Sequence, residues 1–67
     1  MIQELVFLKP GHTPDNPGNV GVMGSGWGKT AKAAIRRYEK STGDKVLEYW
    51  ERGEQLYVIT AWQSDNF

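Results

Sequence analysis

The sequence contains no cysteine, one histidine (His12) and no apolar run of bilayer-spanning length. The lack of cysteine excludes disulfide cross-links and cysteine-based zinc sites, and a single histidine excludes a histidine-rich metal centre. A membrane-spanning helix needs about 20 apolar residues, so we expect no membrane partner.

With 67 residues, the chain has room for one small domain. A domain of this size buries only about 60% of the surface of its unfolded chain, so its stability margin is narrow. Most folds that enclose a substrate or cofactor need more chain than this. We therefore expect residues 1–67 to form one non-catalytic domain that holds no cofactor and no metal. No charged-then-apolar leader is present.

Charge is balanced overall, with eight basic and eight acidic residues, but it is unevenly distributed. Residues 29–45 carry six basic against two acidic side chains, and residues 46–67 carry four acidic against one basic. A zero net charge gives no whole-chain signal for nucleic acid. Any such role would depend on the basic middle segment.

The first half of the chain predicts two strands and two irregular stretches. Ile2–Leu8 is short and apolar on both faces, which is typical of a central strand. Three prolines and two glycines exclude a helix or a central strand from Pro10–Asn19. Val20–Met23 is predicted to be a short edge strand. Gly24–Gly28 is predicted to be a second connector, so 10–19 and 24–28 are the expected flexible loops.

The second half predicts a helix and then a β-hairpin. Thr30–Thr42 repeats apolar residues on one helical face, and Gly43 is suited to end the helix in a left-handed conformation. Lys45–Glu51 and Gln55–Trp62 are predicted strands on either side of Arg52-Gly53. The order β-(β)-α-β-β predicts an α+β fold, a single two-layer domain with one helix packed on a three- or four-stranded sheet.

The position of the hairpin turn decides which side chains share a face of the sheet. A two-residue turn at Arg52-Gly53 places Trp50 opposite Gln55, and the competing register has a three-residue turn. The face nearly free of charge should meet the helix, and it carries Leu47, Tyr49, Leu56, Val58, Thr60 and Trp62. The other face leaves Trp50 and Tyr57 uncovered. The alternative is that the loop 10–19 folds over them as a second minor core.

The glycine-rich stretch 24–30 has some likeness to a phosphate-binding loop. That motif requires glycine five positions before the glycine of Gly28-Lys29-Thr30, where this chain has Met23. The chain is also too short for the strand–helix units that hold a nucleotide. Amide groups at a helix start beside Lys29 leave a generic anion contact as the alternative to a plain connector.

A basic stripe runs along the predicted helix. Its members fall three or four residues apart, roughly opposite the apolar face: Lys29, Lys32, Arg36 and Lys40. A solvated face of an amphipathic helix is the simplest explanation. However, Lys29 and Lys32 lie at the helix start, where the helix dipole disfavours cations. An anionic partner, either a phosphate backbone or an acidic protein surface, would explain why cations lie there.

Two of the aromatic residues do not fit the predicted core. Trp27 lies among flexible glycines, and Trp50 lies beside Glu48 on the face with Tyr57. Exposed tryptophan and tyrosine are the usual anchors of protein interfaces, and the neighbouring glutamates would repel a nucleic acid. Trp50, Tyr57, Glu48 and Trp27 are therefore the predicted partner-binding residues.

No catalytic constellation emerges. Ser25, His12 and Asp15 have the residue types of a nucleophilic triad, but no nucleophile motif accompanies them. The glutamates of the hairpin would lie on an open sheet edge with nothing to desolvate them. An enzyme is not expected.

In layout, the chain resembles the small β-α-β-β proteins with which phages inhibit host enzymes or defence systems. The resemblance covers about residues 27–62. It rests on the Gly-x-Gly-Lys-Thr-Ala entry to the helix, the Ser41-Thr42-Gly43 exit and the hairpin with Trp50, Gly53 and Tyr57. It implies a cytoplasmic, non-catalytic protein, and it carries over no functional residue.

These observations lead to two hypotheses. The first is a small binding protein that occupies the surface of a protein partner, or of a second copy of itself. The alternative is a nucleic-acid-binding accessory protein that uses the basic helix, residues 29–45.

Overall fold

A computed structural model describes all residues, 1–67. The elements are β1 (Ile2–Phe7), β2 (Gly21–Gly28), α1 (Ala31–Thr42), β3 (Val46–Arg52), β4 (Gln55–Thr60) and α2 (Ala61–Asn66). The four strands form one sheet in the order β2-β1-β4-β3. The predicted α+β fold is confirmed, with a second, short helix in addition. No helix is long and apolar enough to cross a membrane.

Strand β1 lies in the middle of the sheet, as its apolar composition predicts. It runs antiparallel to β2 and parallel to β4, so the sheet is mixed. A parallel pair needs a long crossover, and here β2, α1 and β3 together supply it. Leu5 and Val6 are buried on opposite faces of the sheet, which explains why both faces of this strand are apolar.

Helix α1 begins and ends where local sequence signals place it. The Thr30 hydroxyl caps the first turn by accepting a hydrogen bond from the Ala33 N–H at 3.1 Å. Gly43 ends the helix with a φ of 77°, a left-handed conformation in which glycine is favoured. The predicted apolar face is confirmed, because Ala31, Ala34 and Tyr38 are buried against the sheet.

The hairpin turn lies one residue later than predicted. Arg52 pairs with Gln55, so the two turn residues are Gly53 and Glu54, not Arg52 and Gly53. Gly53 adopts a φ of 59°, which a side chain at that position would disfavour. The prediction that Trp50 faces Gln55 is therefore wrong, and Trp50 lies directly opposite Tyr57.

A β-bulge changes which residues of β3 reach the core. The pairing shifts between Val46 and Glu48, so Val46 packs against the core and Leu47 does not. The prediction that Leu47, Tyr49 and Trp62 meet the helix is wrong, since all three are exposed. Helix α1 packs closer to β2 than to β3, and this leaves Tyr49 uncovered.

Residues 24–28 are not a connector. They form the second half of the edge strand β2, which begins at Gly21. A register shift between Ile2 and Glu4, opposite this segment, accommodates the glycines. The many glycines therefore mark an irregular strand that passes close beneath α1.

The predicted strand Gln55–Trp62 ends at Thr60, where α2 starts. The Thr60 hydroxyl accepts from the Gln63 N–H, and the Gln63 side chain accepts from the Thr60 N–H. This reciprocal arrangement is a capping box, whose signature is Thr or Ser followed three residues later by Gln or Glu. The Gln63 amide also donates to the Leu8 carbonyl, which fastens α2 to the end of β1.

The sheet face away from α1 is not bare. Val6 and Ile59 on that face are 5% and 2% exposed, although the helix lies on the other face. The segment 8–20 reaches this side, where Asp15 pairs with Arg52 on β3 at 3.2 Å. This ion pair and the burial of Val6 and Ile59 favour the second minor core, the alternative considered from the sequence.

Candidate functional site

The concave surface with the most apolar lining is a groove between α2 and the first half of β2. We call it the α2 groove. It encloses about 470 Å³, and its apolar lining consists of Phe7, Val20, Val22, Met23, Tyr38, Trp62 and Phe67. Phe7 and Tyr38 form the floor with ring centroids 5.5 Å apart, so the groove opens directly above the core.

The rim of the α2 groove is apolar and exposed. Trp62 is 58% exposed, Phe67 65% and Met23 44%. The rings of Trp62 and Phe67 pack edge to face, 6.0 Å apart, so each restricts the other. Aromatic side chains held at the lip of a cavity have much surface left to bury against a partner.

Asp44 fixes α2 to the body of the protein at one end of the groove. Its carboxylate accepts hydrogen bonds from the Trp62 N–H and the Lys45 N–H, each at 2.9 Å, and from the Tyr38 hydroxyl at 2.8 Å. Burial by itself would raise the pKa of Asp44. The hydrogen bonds from Trp62, Thr60, Tyr38 and Lys45 outweigh burial and lower the pKa below its ordinary value of 3.8. Asp44 is thus a structural anion.

Tyr38 belongs to the floor of the groove. Burial, together with the hydrogen bond to the Asp44 carboxylate and the charge of that carboxylate, raises the pKa of Tyr38 to about 12. Its hydroxyl is engaged with Asp44, so it offers the groove an aromatic ring and no acid–base function at ordinary pH.

One wall of the α2 groove is a free strand edge. The Leu8 N–H donates to the carbonyl of Val58 on β4 at 2.9 Å. Because successive residues of a strand point in opposite directions, Leu5 and Phe7 face β2. Their partners are Met23 and Gly21.

The residues between those partners face outward. Val22 and Gly24 therefore present their N–H and C=O groups away from the sheet, on a strand with no neighbour on that side. No side chain of the protein bonds to either backbone. The edge is open to another strand.

The predicted contact pair is brought together, but it is only half exposed. Trp50 and Tyr57 are direct cross-strand neighbours, both of intermediate burial. The Tyr57 hydroxyl donates to the Gln55 amide oxygen at 3.1 Å. Glu48 is exposed on the same face, opposite Ile59.

Trp27, the fourth predicted contact residue, packs against the core. Its ring lies edge-on to Tyr38 with centroids 6.1 Å apart, and its indole N–H donates to the Met23 carbonyl at 2.9 Å. The Arg37 guanidinium lies 5.9 Å from the Trp27 ring centre and donates to the Gly26 carbonyl at 3.3 Å. Trp27 thus holds β2 beneath α1.

The basic stripe forms a ridge along the outer side of α1. Lys29, Lys32, Arg36 and Lys40 are all exposed. The ion pairs of the protein are Lys45–Glu39 and Arg52–Asp15, so no acidic side chain neutralises the ridge. Lysine and arginine side chains three and four residues apart repel one another, which favours an anionic neighbour.

The residues considered for catalysis are occupied elsewhere. A ring nitrogen of His12 lies 2.8 Å from the Asn16 carbonyl oxygen, and Asp15 pairs with Arg52. Ser25, on β2, has a φ of 149° beside Gly26 at 77°, which fits the irregular pairing there. No group of three His, Asp or Glu side chains is arranged to hold a metal ion.

The sequence analysis did not predict the α2 groove, because one side of the groove is formed by α2, a helix that was not among the predicted elements. The signal was present in Thr60-Ala61-Trp62-Gln63, a capping-box pattern that ends a strand and starts a helix. Comparison with protein-family models, curated proteins and solved structures gave no match. The function proposed below therefore depends on the geometry of this chain.

Proposed function

We propose that this protein is a small, non-catalytic binding protein that acts in the cytoplasm by occupying the surface of a protein partner, with the α2 groove as its contact site. The exposed, mutually packed pair of Trp62 and Phe67 at the groove rim supports this proposal most strongly. The layout resemblance to phage inhibitors favours an inhibitory or accessory role for such an interaction.

The α2 groove suits an interface better than the Trp50–Tyr57 face does. An anchor residue contributes to binding through the surface that it newly buries. Trp62 and Phe67 are more than half exposed, whereas Trp50 and Tyr57 are only of intermediate burial. The groove is also concave, so a partner side chain inserted there is surrounded by apolar atoms.

A photocrosslinking amino acid at Trp62 tests the proposal when the protein is expressed in its host cells. A matched probe at Glu51, an exposed residue on the far edge of the sheet, is the control. The partner protein that the Trp62 probe captures is then purified without the crosslink, and its affinity for the wild-type and variant chains is measured. We expect Trp62→Ala and Phe67→Ala each to weaken binding by about tenfold or more, the effect of losing an interface anchor.

The Trp50→Ala variant separates the two faces of the protein. Unchanged affinity in this variant supports the α2 groove as the contact site. If Trp50→Ala weakens binding and Trp62→Ala does not, the α2 groove is not the contact site. The contact site would then be the Trp50–Tyr57 face that the sequence predicts.

The second candidate function is nucleic-acid binding by the ridge Lys29, Lys32, Arg36 and Lys40. None of these four side chains takes part in an ion pair, which favours this function. Binding of random-sequence DNA and RNA should then fall steeply between low and physiological salt, as phosphate contacts require. Lys32→Glu with Arg36→Glu should abolish that binding, while Trp62→Ala should leave it unchanged.

A further inference from the structure

We propose that the free edge of β2 captures an extended segment of the partner as a fifth strand, and that this segment is apolar beside the α2 groove and acidic beside Arg37. This inference rests on the proposed function and names the partner chemistry of the same site. The occupant is a segment of another protein, added through backbone hydrogen bonds.

The first observation is the state of the backbone. Val22 and Gly24 turn their N–H and C=O groups outward, with no strand beyond them and no side chain bonded to them. An extended segment laid along this edge would pair with both residues in an antiparallel or a parallel ladder. Its side chains on the α1 side would lie next to Met23 and the groove rim.

The second observation is the contrast between the two edges of the sheet. The other edge, β3, carries glutamates, an arginine and a bulge, which are the usual devices against unwanted strand pairing. Strand β2 has no charged residue and no proline between Gly21 and Gly28. The bulge of β2 lies between Gly24 and Gly28, so Gly21–Gly24 is an exposed edge without these protections and can serve as a template for pairing.

The third observation is the charge along the edge, which selects the partner. The charged side chain that reaches β2 on the α1 side is Arg37, while Glu4 lies beside Gly24 on the opposite face. Acidic residues on the α1 side at the Gly26 end of an added strand would pair with Arg37. The apolar groove at the Gly21 end favours β-branched residues there.

The same charge disfavours a second copy of this chain on the edge. Pairing β2 with β2 about a two-fold axis would extend the sheet and place both α1 helices on one face, near the join. The unpaired cations of the two helices would then repel each other. A heterologous acidic segment meets no such repulsion.

The test uses synthetic peptides of about eight residues with blocked ends, long enough to span the edge. One probe has alternating valine and threonine followed by three acidic residues, and a second has the reverse order, so that both strand directions are covered. Two controls are derived from each probe: one with lysine in place of the acidic residues, and one with N-methyl groups on alternate backbone amides.

Binding is followed by amide NMR signals and by hydrogen exchange in the wild-type chain. We expect one acidic probe to shift the Val22 and Gly24 amides and to slow their exchange by about tenfold or more. The lysine peptide should bind at least about tenfold more weakly, and the N-methylated peptide should not bind, because it cannot complete the ladder.

A pair of variants isolates the backbone contribution. Val22→Pro removes an outward N–H that bonds nothing within the protein, so an edge strand tolerates it. Val22→Ala removes the same side chain and keeps that N–H. We expect only the proline variant to lose peptide binding.

The proposal is overturned if neither acidic probe shifts these amides at about 1 mM, or if the N-methylated peptide binds as well as its parent. It is also overturned if sedimentation shows a dimer of this chain that Val22→Pro dissociates. If Val22→Pro leaves binding of the crosslinked partner unchanged while Trp62→Ala abolishes it, strand addition is wrong and the proposed function stands. If neither variant changes binding of the crosslinked partner, strand addition and the proposed function are both wrong.

Discussion

The carboxylate of Asp44 accepts a hydrogen bond from the backbone N–H of Trp62 at 2.9 Å, which ties the turn after α1 to the first turn of α2. The same carboxylate holds the Tyr38 hydroxyl on the groove floor. One side chain therefore sets the position of the rim relative to the floor of the α2 groove.

Replacing Asp44 by alanine should destabilise the protein by roughly 1–3 kcal/mol, because the part-buried Tyr38 hydroxyl and the N–H groups of Lys45 and Trp62 lose a charged acceptor. Asp65→Ala is the matched control, since Asp65 is an exposed carboxylate of α2 without an ion pair. Denaturant unfolding gives the free energies, and the Trp62 amide shift reports on α2. Equal stability of the two variants would contradict the anchoring role.

Acid should reveal the same interaction. The pKa of Asp44 is lower in the folded chain than its ordinary value of 3.8, because the hydrogen bonds outweigh the effect of burial. The contribution of the Asp44 carboxylate to the free energy of unfolding is therefore present above pH 3.8 and is lost as the pH falls through the pKa of the folded chain. Wild type should lose more free energy of unfolding below about pH 4 than Asp44→Ala does. Parallel pH curves would contradict this assignment.

At alkaline pH, Tyr38 should limit stability. Burial and Asp44 raise the pKa of Tyr38 from 10.0 to about 12, so the unfolded chain releases the phenolic proton first. The contribution of Tyr38 to the free energy of unfolding is complete below the pKa of the unfolded chain, 10.0, and declines as the pH rises from 10.0 to about 12. Tyr38→Phe should have a flatter decline in unfolding free energy over this range. The other tyrosines and the lysines are shared by both chains, so an unchanged slope would refute the role of Tyr38.

Gly53→Ala tests the observed position of the hairpin turn. Alanine in the left-handed conformation at a φ of 59° should cost about 1–2 kcal/mol. Gly21→Ala is the control, because that glycine has no left-handed φ and nothing within 4 Å of an added Cβ. It should change the free energy of unfolding by less than about 0.5 kcal/mol. A neutral Gly53→Ala variant would indicate a different turn.

Replacement of Trp50 and of Trp62 by alanine should differ in its effect on the free energy of unfolding. Trp50 is of intermediate burial against Tyr57, so Trp50→Ala should cost roughly 2 kcal/mol, about half the value for a buried tryptophan. Trp62 is 58% exposed, so Trp62→Ala should cost less than about 1 kcal/mol. Thermal or denaturant unfolding measures both. The reverse order would mean that α2 packs more tightly than its exposure indicates.

Lys32→Glu with Arg36→Glu should leave the fold intact. Both side chains are exposed on the outer side of α1, and a glutamate in the first turn interacts favourably with the helix dipole. Far-ultraviolet circular dichroism and the free energy of unfolding should match wild type within about 0.5 kcal/mol. An unfolded variant would show that the ridge packs against another part of the chain.

Local signals in the sequence determined α1, β1 and the presence, though not the register, of a hairpin after α1. Thr30, Gly43 and the spacing of Ala31, Ala34 and Tyr38 act within one helix, so no distant residue is needed to predict it. The two apolar faces of Ile2–Phe7 marked a central strand for the same reason. The chemistry of the basic ridge, with its exposed position, also follows from helical periodicity alone.

Tertiary packing decided the rest. The glycines of 24–28 favour a connector locally, yet pairing with β1 and cover from Trp27 and Arg37 make them a strand. The bulge beside Leu47 reverses the alternation of side chains along β3, which no periodicity reveals. The α2 groove depends on Gln63 bonding to Leu8 and on Trp62 bonding to Asp44, over separations of 55 and 18 residues. Such contacts arise only when the whole chain is folded, because their stability comes from groups that the unfolded chain keeps far apart.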